Sequence, residues 1–258
     1  MRALWLTAGA VATAIALLIS TASLWSMFAS AREPREHTSR SIPLDHKAVQ
    51  IRTGKGQVDL FITSGQAGEL RIDRYLQWSK DRPTVTEDWD ERTGTLLLDA
   101  VCRDHDQPQG PTCRASYTLF VPPEVDVEAG TVGGAVAADD LFGSVRLTSV
   151  AGDIRVTTLS GDLWARTGTG DVVAESLRGE RADVEAGSGD LRVTFQSAPS
   201  QVRAVVRTSG DVDVWVPRNV YAVTAEGVNT TLSVRHDPDA SRKIVATTKD
   251  GYVSVCCR

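Results

Sequence analysis

The stretch that decides the fold is residues 149–195, which read SVAGDIRVT, TLSGDLWAR, TGTGDVVAE, SLRGERADV and EAGSGDLRVTF. Glycine recurs in it in steps of 9, 9, 9 and 10 residues, at Gly152, Gly161, Gly170, Gly179 and Gly189. A unit this short cannot bury a core by itself and must stack on its neighbours. The repeat therefore predicts a β-solenoid, in which coils of strands lie on top of one another.

Within each unit, apolar residues alternate with polar ones after the glycine, as at Ile154 and Val156. This period of two predicts a strand with one buried face. We expect each glycine at a corner with positive φ, and the next aspartate to close that turn by accepting backbone hydrogen bonds. Two units would form one coil of about 18 residues, with coils about 4.8 Å apart. The predicted turn residues are Gly152, Asp153, Gly161, Asp162, Gly170, Asp171, Gly189, Asp190, Gly210 and Asp211.

The composition is that of a folded protein with an acidic balance. The chain has 258 residues, of which 41% are apolar and 24% charged, and its net charge is −5. These values exclude a disordered chain and allow one or two globular domains. Lys and Arg form no basic stripe with interleaved aromatic residues, so nucleic acid is not an expected partner.

The N-terminal segment differs from the rest, because Ala3–Ser30 contains no charged side chain. Two interpretations stay open: a signal peptide cleaved after the small residues 29–31, or a retained single-span anchor. Trp5 and Trp25 lie about 30 Å apart along a helix, where they would mark the two membrane interfaces. This spacing favours an N-terminal transmembrane helix, a membrane contact through it and a C-terminal part outside the cytoplasm.

Four cysteines bear on the compartment. Cys102 and Cys113 flank the polar loop RDHDQPQGPT between two predicted strands. A disulfide between them would require an oxidising compartment, and the alternative is two free, partly buried thiols. The adjacent Cys256 and Cys257 have no predicted partner, because a bridge between neighbours is strained.

The rest of the chain is predicted to be β throughout. Residues 48–52 and 57–62 alternate on either side of a Gly-Lys-Gly turn and suggest a hairpin. The repeat register extends from Gly134 to Gly210, and looser strands from residue 220 onward would cap the solenoid. The predicted organisation is an anchor or signal segment at 1–31, a linker at 32–46, an N-terminal β part at 47–122 and the Gly-Asp repeats at 123–258.

The recurring Gly-Asp units, the passage from FQSAP to TSGDVDVWVP and YAVTAEG, and the late IVATTKDGYVSV resemble the bacterial putative-adhesin family. The resemblance covers roughly residues 42–255. It implies an exported or membrane-tethered protein with a right-handed β-helix-like fold and no catalytic motif. Some relatives are tied to envelope-stress responses, which makes signalling through an envelope protein an alternative function.

The Gly-Asp period also resembles the calcium-binding nonapeptide G-G-x-G-x-D-x-U-x. In that motif the aspartate comes two residues after the glycine, whereas Asp153, Asp171 and Asp190 follow their glycines directly. We therefore expect turn-closing carboxylates, with no metal or other cofactor. Weak calcium binding along the stacked aspartates stays an alternative.

Two tryptophans are candidate contact residues. Alternation places Trp164 and Trp215 on the outer surface, where indoles can stack on sugars or anchor a protein partner. The alternative is that other parts of the chain cover them. An enzyme acting on polysaccharide would need paired carboxylates, and Asp139-Asp140 with Asp153 are the only ones suggested by the pattern. The sequence thus favours a non-catalytic, adhesin-like scaffold or binding module that contacts cell-wall polymer or an envelope protein.

Overall fold

The computed structural model describes residues 13–24, 33–102 and 112–257. The chain divides into two compact units, Met1–Arg35 and Glu36–Arg258. In the first unit, residues 13–24 form a helix whose side chains are all exposed. No helix in the described ranges is both long enough and apolar enough to cross a membrane. Most of the predicted span Ala3–Ser30 lies outside the described residues, so the anchor stays a prediction.

The second unit is all-β, as the alternating pattern predicts. Its described residues form 22 strands: β1 Arg35–Pro43, β2 Ala48–Thr53, β3 Val58–Ser64, β4 Glu69–Trp78, β5 Thr84–Asp90, β6 Thr95–Val101, β7 Cys113–Val121, β8 Asp126–Gly133, β9 Val136–Leu141, β10 Val145–Ala151, β11 Ile154–Leu159, β12 Leu163–Thr169, β13 Val172–Leu177, β14 Arg181–Ser188, β15 Leu191–Phe195, β16 Gln201–Ser209, β17 Val212–Val216, β18 Val220–Glu226, β19 Asn229–Leu232, β20 Arg235–His236, β21 Lys243–Asp250 and β22 Tyr252–Cys257.

These strands form two sheets of eleven strands each. Sheet A has the order β1-β4-β7-β3-β9-β11-β13-β15-β17-β22-β19, and sheet B has the order β20-β18-β21-β16-β14-β12-β10-β8-β2-β6-β5. From β8 to β17 the chain alternates between the sheets, so one coil contributes one strand to each. Val145 pairs in parallel with Leu163, and Ile154 with Val172, which gives the expected coil of 18 residues.

The core lies between the sheets and follows the alternation of the sequence. In β11, Ile154 and Val156 are buried, and in β12 so are Leu163 and Ala165. Each fully buried aliphatic side chain contributes about 1.5 to 3 kcal/mol relative to exposure. Because every coil places its apolar residues over those of the previous coil, the core is one continuous column.

The corners from sheet B to sheet A carry four of the five predicted Gly-Asp pairs. Gly170 has φ 130°, a conformation that favours glycine. The carboxylate of Asp171, however, does not close its own turn, because it accepts the N–H of Asp190 in the next coil at 2.8 Å. The turn's own donors are already engaged, since the N–H of Val172 donates to the carbonyl of Asp190. The predicted role of the aspartate is therefore wrong in detail, because it links successive coils.

The corners from sheet A to sheet B need glycine for a different reason. Gly161 and Gly179 do not have positive φ, so that prediction is wrong for them. A Cβ on Gly161 would lie 2.2 Å from the carbonyl oxygen of Gly143, and one on Gly179 would lie 2.0 Å from that of Gly161. Close contact between the backbones of stacked coils therefore requires the glycine here.

The order of strands in the sheets departs from the order in the chain at both ends. The predicted hairpin of residues 48–52 and 57–62 is wrong, because β2 pairs with β6 and β8 while β3 pairs with β7 and β9. At the other end, β21 and β22 lie between earlier strands, with β18 and β19 outside them. The looser late strands were expected to form the cap together, but only β18, β19 and β20 lie at the end of the stack.

Charged side chains tie β1 to the neighbouring strands of the second unit. Arg74 of β4 donates to Glu36 of β1 at 2.8 Å and to Glu87 of β5 at 2.6 Å. Arg82 also pairs with Glu36, and Arg40 lies 3.4 Å from Glu87. Arg74 is largely buried, and the cluster joins β1 and β4 of sheet A to β5 of sheet B.

The predicted disulfide is confirmed, since Cys102 and Cys113 are bonded across the ends of β6 and β7. The loop between them, residues 103–111, lies outside the described residues. Cys256 and Cys257 are free thiols of intermediate exposure. The Cys257 thiol donates to the carbonyl of Ser233 at 3.2 Å.

Candidate binding face on sheet B

A shallow groove runs across the outer surface of sheet B. It crosses β2, β8, β10, β12, β14 and β16 and has a volume of about 540 Å³. The strand register brings one outward residue from each of these strands into a row, which we call the groove row: Gln50, Glu128, Arg146, Trp164, Asp183 and Arg203. Successive members are about 4.8 Å apart, so the row is about 24 Å long.

Trp164 stands near the middle of the groove row and is half-buried. The guanidinium of Arg146, on the preceding coil, lies 4.3 Å from the centre of its ring system. That of Arg166, two residues further along β12, lies at 4.6 Å. Contacts of this kind stabilise by about 0.5 to 1 kcal/mol each at exposed sites. They hold both cations against the sheet.

A carboxylate lies beneath the arginines beside the tryptophan. Glu185 is buried, with a side chain only 7% exposed, although it is on the outer face of β14. Arg203 donates to it at 2.9 Å, Arg166 lies at 3.6 Å, and Arg207 forms a further ion pair with it. Asp183 accepts from Arg166 at 2.7 Å and from Arg203 at 3.1 Å. The three strands β12, β14 and β16 are thereby connected by one polar network.

This network determines which charges the face presents. Burial raises the pKa of Glu185, but hydrogen bonds from Arg203 and Arg207 and the charge of Arg166 outweigh it and leave the pKa below its ordinary value. The pKa of Asp183 is lowered in the same way, since hydrogen bonds from Arg166 and Arg203 overcome its burial. Both carboxylates are therefore ionised at neutral pH.

The arginines nevertheless outnumber the acids. Arg146, Arg166, Arg203 and Arg207 carry four positive charges against two negative charges on Asp183 and Glu185, which leaves +2. We call these six residues with Trp164 the basic patch. The whole chain has a net charge of −5. This positive excess is confined to the patch, because the charged side chains that line the groove sum to −1: Arg146, Arg181 and Arg203 against Asp126, Glu128, Asp162 and Asp183.

The sequence predicted Trp164 as a contact residue but not the charged groups around it. Arg146, Asp183 and Arg203 are distant in the chain, yet the coil length of 18 to 20 residues brings them side by side. Their spacing from Trp164 follows the repeat and was the available signal. The ion pairs themselves depend on side-chain positions that the pattern does not show.

The second predicted tryptophan belongs to the other sheet. Trp215 is 38% exposed on the outer face of β17, where it pairs with Cys256 of β22. Trp164 faces outward from sheet B, so the structure does not bring the two indoles together. They cannot form one platform.

The predicted turn aspartates form a column along one edge. Asp153, Asp171, Asp190 and Asp211 each accept a backbone N–H from the following coil at 2.8 to 2.9 Å. Asp162, at the opposite corners, accepts from the N–H of Arg181 at 3.1 Å. Within the described part of the chain, no three His, Cys, Asp or Glu side chains are placed to hold a metal ion.

Of the carboxylates considered for catalysis, Asp153 does not lie beside Asp139. Asp139 lies on the outer face of β9, where it pairs with Thr157, whereas Asp153 stands at the corner before β11. Four residues of strand separate Thr157 from Asp153, which is about 13 Å. Paired carboxylates in glycoside hydrolases are about 5 to 9.5 Å apart. Asp140 has φ 54° and accepts a hydrogen bond from Ser64 at 3.1 Å.

Comparison with known proteins finds one family model and several similar crystal structures. The family model described as Toastrack DUF4097 matches residues 125–256. No curated protein matches the chain. The crystal structure of a putative cell adhesion protein from Clostridium sporogenes is similar, with 9% identity, 86% of this chain and 100% of that chain covered, and a TM-score of 0.42.

Two further crystal structures are of putative adhesins. The one from Bacteroides fragilis has 13% identity, with 86% of this chain and 97% of that chain covered, and a TM-score of 0.45. The one from Parabacteroides distasonis has 12% identity, with 85% and 97% covered, and a TM-score of 0.45. None of these similarities assigns an activity to the present chain.

Proposed function

Since this chain belongs to the Toastrack family (DUF4097), we propose that it is a non-catalytic binding module that holds its ligand in the sheet B groove. Membership confirms the family resemblance indicated by the Gly-Asp ladder. The observation that carries the proposal is the groove row, in which an indole and charged or amide side chains line a groove with a volume of about 540 Å³.

The scaffold is better suited to binding on a rigid surface than to a function that requires a conformational change. The strands beneath the groove are paired on both sides within sheet B, and their inner residues belong to the continuous core. Such strands keep their outer side chains in fixed positions, which reduces the entropy lost when a ligand binds. An adhesin-like role needs this kind of preformed surface and no moving part.

We further propose that the module works outside the cytoplasm and is tethered to the membrane by its N-terminal segment. The Cys102–Cys113 bond supports an oxidising compartment. The uncharged stretch Ala3–Ser30 supports membrane insertion. A β-lactamase fusion to the C-terminus should protect intact cells from ampicillin, and the full chain should stay in the membrane pellet after carbonate extraction. Failure of either result would contradict this placement.

The binding proposal is tested by co-sedimentation of the detergent-solubilised full chain with purified cell-wall material. We expect Trp164→Ala to reduce the bound fraction at least fivefold. Trp215→Ala is the matched control, because it removes an outward indole from the other sheet. Equal losses for the two variants, or no loss for either, would contradict the assignment of the ligand to sheet B.

A further inference from the structure

We propose that the sheet B groove takes a glycan whose sugar rings carry carboxylates, and that Arg146 binds the carboxylate. This inference rests on the proposed function, since it names the ligand class of the same groove. Two features of the groove support it: an exposed arginine without an ion pair, and a surface that offers only side chains.

Arg146 differs from the other arginines of the basic patch. Arg166, Arg203 and Arg207 each pair with Asp183 or Glu185. Arg146 is exposed and, among the described residues, forms no ion pair; its guanidinium is held only by the ring of Trp164. A guanidinium placed in this way keeps its N–H donors available for a bidentate contact with a carboxylate.

The neighbouring acid does not compete strongly for Arg146. Glu128 precedes it in the groove row, but its carboxylate lies 3.8 Å from Arg52 on β2. On the other side of Arg146 in the groove row, beyond Trp164, Asp183 forms ion pairs with Arg166 and Arg203. The guanidinium of Arg146, which forms no ion pair among the described residues, is therefore the cation that a ligand carboxylate would meet in the groove. Its attraction for the ligand should weaken as salt is added.

The backbone of the groove favours a glycan over a peptide. The strands β10, β12 and β14 are hydrogen-bonded on both sides, so they have no free edge to which a peptide strand could add. Recognition must use side chains alone. Gln50, Gln201 and the row's carboxylates can exchange hydrogen bonds with sugar hydroxyls at about 4.8 Å intervals.

Other ligand classes fit less well. A lipid chain needs an apolar cavity, whereas four of the six strands, β8, β10, β14 and β16, contribute charged side chains to this groove. Binding of a nucleic acid rests mainly on several cations that contact phosphates, whereas Arg166, Arg203 and Arg207 are already paired with carboxylates. A uronic acid also offers hydroxyl groups to the amide and carboxylate side chains of the groove.

The test is calorimetric titration of the detergent-solubilised full chain with pentagalacturonate and with its fully methyl-esterified form. The two probes have the same sugar chain, and the ester replaces each charged carboxylate by a neutral group that is one methyl larger. We expect the acid to bind at least tenfold more tightly than the ester in 50 mM salt, and the difference to shrink in 500 mM salt. Arg146→Gln should weaken binding of the acid at least tenfold and leave that of the ester unchanged.

The matched control is Arg155→Gln. Arg155 occupies the same second position of its strand one repeat later, is exposed, and faces outward from sheet A. It should leave binding of the acid unchanged, and melting temperatures of both variants should confirm that they are folded. Equal losses for Arg146→Gln and Arg155→Gln would show a general charge effect and overturn the role of Arg146.

The two proposals fail differently. Equal binding of acid and ester, sensitive to Trp164→Ala, would overturn the carboxylate inference and leave the binding module intact. The inference would also fall if neither probe bound while cell-wall material still sedimented with the wild-type chain. Loss of both kinds of binding would overturn the proposed function together with the inference.

Discussion

The stacking of glycine corners can be tested with four alanine substitutions that separate backbone strain from steric contact. Gly170 combines both, with φ 130° and a Cβ that would lie 2.6 Å from the carbonyl oxygen of Gly152. Gly161 has only the contact, at 2.2 Å from the carbonyl oxygen of Gly143. Gly68 has only the strain, with φ 79° and open space around it, and Gly133 has neither.

The expected costs follow from these features. A residue other than glycine in a sparsely populated backbone region costs about 1 to 3 kcal/mol. Overpacking against a rigid neighbour costs about 1 to 3 kcal/mol. We therefore expect a loss of about 4 kcal/mol of unfolding free energy for Gly170→Ala, about 2 for Gly161→Ala and about 1 for Gly68→Ala. Gly133→Ala should be within about 0.5 kcal/mol of the wild type.

Urea unfolding followed by circular dichroism measures these differences. With an m-value of about 3 kcal/mol/M, a loss of 4 kcal/mol lowers the midpoint by about 1.3 M. If Gly170→Ala were no more damaging than Gly133→Ala, the contact between stacked corners would not constrain the fold. If Gly161→Ala left the unfolding free energy unchanged, the account of the corners from sheet A to sheet B would be refuted, because steric contact is the only cost expected there.

Three other substitutions probe separate parts of the unit. Glu185→Gln should lower the unfolding free energy by about 1 to 3 kcal/mol at pH 7. Because the folded pKa of Glu185 lies below 4.5, the stability that the carboxylate contributes is present above that pH and is lost as the pH falls through the folded pKa. The urea midpoints of the two proteins should therefore converge between pH 7 and pH 3, and parallel curves would contradict the ion pairs. Replacing Cys102 and Cys113 together by Ala should lower the unfolding free energy by about 3 kcal/mol. The comparison is with the wild type, with and without reductant. If reductant did not change the unfolding free energy of the wild type, the bond would be contradicted. Thr158→Asn should stabilise by about 0.5 to 1 kcal/mol, since Thr158 is β-branched at φ 54°, and a lower melting temperature would refute that strain.

Much of the fold was predictable because the repeat is local in the sequence. The spacing from Gly152 to Gly170 gives the coil length, and the alternation in β11 gives the buried face. Both follow from period and residue type, with no knowledge of distant partners. The pairing of residues 48–52 and 57–62 was not predictable in this way, because a short glycine turn permits either a hairpin or a change of sheet.

The candidate site was predictable only in part. The alternation places Trp164 outward, and the repeat of 18 to 20 residues aligns Arg146, Asp183 and Arg203 with it once the coils are known to be parallel. That Glu185 lies buried under arginines could not be foreseen. Its burial depends on the positions of three arginine side chains, which extend over it from the neighbouring strands β12 and β16.

By itself, the sequence determined an all-β repeat with a coil of two nine-residue units, because glycine positions and alternating polarity act within each unit. Only the tertiary structure decided which strands lie side by side at the two ends, since β2, β3, β21 and β22 fit between strands that are remote in the chain. It also decided that the turn aspartates join one coil to the next. Both depend on hydrogen bonds between coils, which form only after stacking has brought distant backbone groups within reach.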